Sequence, residues 1–248
     1  MSTKSQNNTI GYLLLGLTLA LGLIIASFLL SSTLRDIKGS EQVITVKGYA
    51  EKNIISDLGV WQGYISVTSY DLVSGYQKLQ HDFDVLLNYL KEKNIDKKSI
   101  KLGAISNYKN FRNSPNGGRS SEFIGYTLER RVSVTSSDVR LIEQLGSEST
   151  SLIQQGVQIS SNSPQYFYTK LNDLKIEMLG KATKDAKERA VVIAKSSGTE
   201  AGAIKSARQG VFQITARNSA EISDWGEYNL SSIEKTIKAV VTASFVVK

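Results

Sequence analysis

His81 is the only histidine among 248 residues, so a Ser-His-Asp relay or a histidine-ligated metal would have to use it. Leu79 and Phe83 share one stripe of a helical pattern. At about 100° per residue this turns His81 toward solvent and away from chemistry. Carboxylate pairs occur at Asp82 with Asp84 and at Asp185 with Glu188. The second pair is flanked by Lys181, Lys184 and Lys187, the arrangement of a salt-bridged helix surface. Glycosidase-type acid-base work needs two carboxyls set across a cleft, which neither spacing provides. The chain has no cysteine, which removes disulfides, thiolate metal sites and cysteine nucleophiles together. Phosphate-binding G-x-x-x-x-G-K-[ST] and nucleophile-elbow G-x-S-x-G motifs are also missing. The sequence therefore nominates no catalytic, cofactor-binding or metal-ligating residue, and the chain is expected to be non-enzymatic.

Residues 106–121 (SNYKNFRNSPNGGRSS) read as a mobile loop in which Tyr108 and Phe111 interleave with Lys109, Arg112 and Arg119. Single-stranded nucleic acid sites combine stacking and charge in that way. Five residues in a hairpin-like loop are too few to track a strand, and nucleic acid is not an expected partner. The net charge of +7 is modest. Beyond residue 30 it reduces to +6, from 29 basic and 23 acidic side chains that are mostly interleaved, as from Lys181 to Arg189. That excess leaves anionic lipid or polymer as an alternative ligand class.

The elements that position these residues begin with an apolar run. Residues 1–9 form a tail, and Ile10 to Leu30 (IGYLLLGLTLALGLIIASFLL) contains no charge. Twenty-one helical residues at about 1.5 Å each cover the roughly 30 Å hydrocarbon core, so 10–30 is expected to be a transmembrane signal anchor in contact with the lipid bilayer. A cleaved signal peptide is the alternative, with candidate sites around Ala26, Ser27 and Ser31 to Thr33. Lys4 on one side against Arg35, Lys38 and Lys47 on the other leans toward a cytoplasmic body by the positive-inside rule. Residues 31–40 form a linker.

From residue 41 the composition is that of a folded α+β body of antiparallel sheets, with two long amphipathic helices and a shorter one. Alternation over Glu41 to Tyr70 predicts two strands joined around Lys52 to Asp57. Leu72, Tyr76, Leu79, Phe83, Leu86 and Leu90 then mark a helix, with Asp71 as its N-cap. Strands follow over 95–105 and 123–135, with a short helix opened by Ser137 and Asp138. Val157 to Tyr168 reads as a strand interrupted by Pro164. The longest helix, about Thr169 to Ser197, presents Leu171, Leu174, Met178, Ala182, Ala186, Ala190 and Ile193. Its alanine half should lie close against a neighbour, and Gly198 should end it. A strand near 203–215, a polar stretch over 216–232 and a strand with Ile237, Ala239, Val241, Ala243, Phe245 and Val247 on one face complete the body.

This order and its wording resemble the SIMPL domain family, which includes the YggE-like bacterial envelope proteins and the periplasmic immunogenic proteins. The resemblance rests on Ile44-Thr45-Val46-Lys47-Gly48-Tyr49-Ala50-Glu51 and on Asp57-Leu58-Gly59-Val60. It continues through Gly125-Tyr126-Thr127, Val132-Ser133-Val134, the Ala182-Ala186-Ala190-Ala194 stripe with Gly198, and Val241-Thr242-Ala243-Ser244-Phe245. Ser56 stands where the family usually has proline. The resemblance implies that residues 41–248 form an extracytoplasmic domain; the uncleaved apolar run 10–30, which departs from the family, is what would tether it to the inner membrane. The resemblance also implies self-assembly as a homo-oligomer or binding of an envelope protein or polymer, and a link to stress tolerance. It brings no catalytic residues and no cofactor. An unrecognised hydrolase is the third class left open.

Overall fold

The computed structural model describes residues 16–27, 42–113 and 119–248. Helix α1 occupies residues 16–27. Residues 10–15 and 28–30 of the expected anchor lie outside the described residues, and among those described no helix is long and apolar enough to cross a membrane. The chain divides into two compact units. One comprises Met1–Val46, Lys187–Ala207 and Ala243–Lys248, the other Lys47–Ala186 and Arg208–Thr242.

The larger unit is built on an antiparallel sheet of β3 (Ile100–Asn113), β4 (Arg119–Ser136) and β2 (Leu58–Ser69), with β5 (Ile159–Ser161) and β6 (Gln165–Phe167) both paired to β2. One face is apolar at every second position. Trp61, Ile65, Leu128, Val132 and Val134 are buried there, under α2 (Leu72–Glu92) and α3 (Val139–Glu148). Both helices start where a carboxylate satisfies orphan amides: Asp71 accepts from Ser74, and Asp138 from Arg140 and Leu141. The expected loop over 106–121 is largely strand, because β3 and β4 continue through Asn113 and from Arg119. Polar residues misled the periodicity there; the pairing Tyr108 with Thr127 and Lys109 with Tyr126 carries the ladder past the core. Pro164 does break the expected single strand, leaving β5 and β6 as separate three-residue pieces.

On α2, Leu79, Phe83, Leu86 and Leu90 are buried as expected, whereas Leu72 and Tyr76 are exposed. The buried face passes instead through Gly75, whose missing side chain admits Leu128: a Cβ there would lie 2.7 Å from Leu128 Cδ1. The expected junction over Lys52 to Asp57 is also narrower, since β1 (Val43–Ile55) runs unbroken to residue 55.

A second sheet has the order β1, β10 (Glu234–Val247), β8 (Gln213–Ala216), β9 (Glu227–Tyr228), and β7 (Ala201–Gln209) also pairs with β10. The strand expected over 203–215 is thus two strands, and the polar stretch 216–232 contains β9. Helix α4 (Leu171–Ser196) buries Leu174, Met178, Ala182, Ala186, Ala190 and Ala194. Ala194 replaces the expected Ile193, which is exposed; spacings of exactly four slant the stripe by one position. The expected close approach is present at Gly48, where an added Cβ would meet Ala182 O at 2.0 Å and Ala186 N at 2.6 Å. The Tyr49 amide donates to Asp185 at 2.7 Å alongside. In the smaller unit, Gln42 O accepts from Val247, Glu200 and Lys248 exchange two backbone bonds of 2.9 Å, and Gly198 ends α4 at φ 71°.

Candidate functional site

His81 is exposed on α2, as its spacing requires. Its neighbour Asp82 is buried at the same helix and paired with Lys78, while Asp84 is exposed, so the two carboxylates do not converge. Arg112 of the hairpin pairs with Glu122 at 3.1 Å, and Phe111 packs edge-on against Phe123 at 6.1 Å. The side chain of Arg119 lies outside the described residues. Among the described residues no three His, Asp or Glu side chains are placed to hold a metal ion.

The structure instead brings together residues that spacing had not joined. Lys235 is fully buried at the start of β10. Its ammonium donates to Ser56 Oγ at 2.8 Å, to Tyr166 O at 3.0 Å and to Ser232 O. All three donors are used, and all three acceptors are neutral. Burial without a counter-charge brings its pKa down to about 8. A lysine of lowered pKa beside a serine hydroxyl is the pairing that serine-lysine hydrolases use. Here, however, Ser56 is 3% exposed, and the ammonium ties the β1–β2 turn to β6 and to the chain entering β10. The arrangement acts as a clamp. One signal was present in the sequence: the alternation through Ile237, Ala239 and Val241, continued backwards by two, puts Lys235 on the buried face.

Outside the clamp lies an open cleft of about 330 Å³, lined by Arg140, Glu143, Tyr166, Arg217, Ser232 and Glu234 among others. Arg140 pairs with Glu143 and Arg217 with Glu234, each at 2.9 Å. The first pairing holds the Arg140 guanidinium above its ordinary value. Burial, then the Glu143 charge, raises the Tyr166 phenol, with Arg140 opposing. Charges on this rim are already mutually satisfied. A second cleft of about 350 Å³ opens on the outer face of β2, β3 and β4, among Tyr64, Gly103, Tyr108, Glu129 and Arg131. The Arg131 guanidinium stands over the Tyr64 ring at 4.9 Å.

The order of strands, the alanine-lined α4 and the Gly48 contact accompany a match to one family model, SIMPL, described as a protein of unknown function (DUF541), over residues 44–245. The chain belongs to the SIMPL family. No curated protein matches it. In this SIMPL chain the Ser56 hydroxyl is a clamp acceptor for Lys235.

Proposed function

We propose that this chain is a non-enzymatic, membrane-anchored protein of the cell envelope that acts through self-assembly or by binding an envelope partner, in a role tied to stress tolerance. Residues 10–30 would hold it in the inner membrane, with residues 41–248 outside the cytoplasm. The uncharged run from Ile10 to Leu30 supports the anchor.

The observation that carries the binding role is Trp225. The residue is 95% exposed, in a loop held from below by hydrogen bonds between Gln213 and Ser223. A fixed, solvated tryptophan is an expensive surface feature for a lone chain and a common anchor at interfaces. Light scattering of the full chain in detergent tests assembly, and reporter fusions at Lys248 test topology. A monomer at every concentration removes the self-assembly arm and leaves partner binding, and a working cytosolic reporter beside an inactive periplasmic phosphatase contradicts the placement outside the cytoplasm.

A further inference from the structure

Trp225 is not alone in its loop. Ile222 is 78% exposed beside it in sequence, and Glu221, Asp224 and Glu227 flank the two apolar residues. Among the described residues these three carboxylates make no ion pair. The backbone beneath is fixed: Gln213 Nε2 donates to Ser223 O at 2.6 Å, Ser223 N returns a bond to Gln213 Oε1, and Gly226 N donates to Ser223 O at 3.1 Å. Gly226 takes φ 88°, which lets the chain turn directly after the indole. The result is an apolar knob with an acidic rim. That rim opposes docking on an anionic membrane or polymer, and calls for an aromatic-lined socket with basic edges.

The same chain carries such a socket. In the outer-face cleft of about 350 Å³, Gly103 leaves the floor open and Tyr108 is 54% exposed at one wall. Arg131 lies over Tyr64. Register with Ser133 puts Lys101 on the same outer face. Arg131 and Lys101 thus face one carboxylate in the cleft, Glu129. An indole seated there would stack on tyrosine and guanidinium, and the knob's three carboxylates would meet the basic edge.

Resting on the self-assembly arm of the proposed function, we infer that Ile222 and Trp225 of one copy dock into the Tyr64, Tyr108 and Arg131 cleft of a second copy. Knob and socket are different patches, so the contact is heterologous. Each copy offers both, and assembly closes as a ring or continues as a filament.

Sedimentation of the full chain in detergent micelles tests this with two variants, Trp225→Ala and Arg131→Glu. Each should weaken assembly about thirtyfold or more while leaving the melting curve unchanged. Mixed together, they should form a one-to-one pair, because Trp225→Ala keeps the socket and Arg131→Glu keeps the knob. Assembly of the wild-type chain should also weaken as salt rises. If Arg131→Glu fails to melt cooperatively, Tyr108→Ala takes its place. Wild-type assembly that survives both substitutions overturns the knob and socket but leaves self-assembly standing. A wild-type chain that never assembles overturns both.

Discussion

The ammonium of Lys235 donates to the hydroxyl of Ser56 at 2.8 Å across 179 positions of sequence, and neither side chain is reached by solvent to any useful extent. The pair closes the turn between β1 and β2 onto the first residues of β10. Because no carboxylate shares the site, the fold must hold a bare cation in a dry place.

Stability should therefore rise with alkalinity at this residue. The Lys235 ammonium loses its proton at about 8 in the fold, against 10.5 in the unfolded chain. Below pH 8 both states are protonated and the burial penalty is present in full. Between pH 8 and 10.5 the unfolded state alone keeps the proton, so this group adds up to about 3 kcal/mol as pH climbs. Urea titrations from pH 7 to 9.5, taken as the difference between wild type and Lys235→Met, measure it. A difference that is flat or declines with pH refutes the assignment.

Gly48→Ala should cost about 3 kcal/mol or more. The new Cβ would sit 2.0 Å from Ala182 O and 2.6 Å from Ala186 N, and backbone atoms inside a helix cannot swing aside as a side-chain tip can. A chemical melt within about 0.5 kcal/mol of wild type would show that α4 slides to make room.

His81→Ala and Phe83→Ala should separate sharply although they stand two residues apart. Phe83 is 1% exposed and lies 5.1 Å under the Arg130 guanidinium, so its truncation should cost about 3–5 kcal/mol. His81 is exposed, and its loss should stay within about 0.5 kcal/mol. Loss of a cellular function on His81→Ala with an unchanged melt would point to chemistry at that residue.

Residues 36–248 should fold without residues 1–35. The sheet of β2 to β6 buries its apolar face beneath α2 and α3 with residues drawn from 61 to 233 alone. Circular dichroism of the truncated chain should show a cooperative melt; a broad, non-cooperative one would make the N-terminal segment part of the fold.

Most of the body was legible in the sequence because its periodicities are strict. The α2 stripe from Leu79 to Leu90, the Asp71 and Asp138 caps, the break at Pro164 and the inward face of β10 all follow from spacing and residue type. Legibility failed where polar residues continue a ladder beyond the core, as from Ser106 to Asn113, since alternation has no apolar half to reveal it there. It failed again for tertiary partners. Lys235 could be placed on an inward face, but Ser56 and the carbonyls of Tyr166 and Ser232 are supplied by separate elements. The exposure of Trp225 was hidden for a different reason: an aromatic in a polar stretch is equally compatible with a buried anchor.

β6 has consequences for motion. Three residues pair with the edge of β2, and one of them, Tyr166, gives its carbonyl to Lys235. Amide deuteration should thus reach Tyr166 and Phe167 well before Trp61 or Val134, since so short an edge can detach by local opening while the sheet's centre persists. Each such opening would uncover the Lys235 ammonium and wet it, relieving its burial penalty while it keeps its proton at neutral pH. The most buried cation among the described residues is then in exchange with bulk water through a thin wall, at a rate set by three residues of edge strand and one proline.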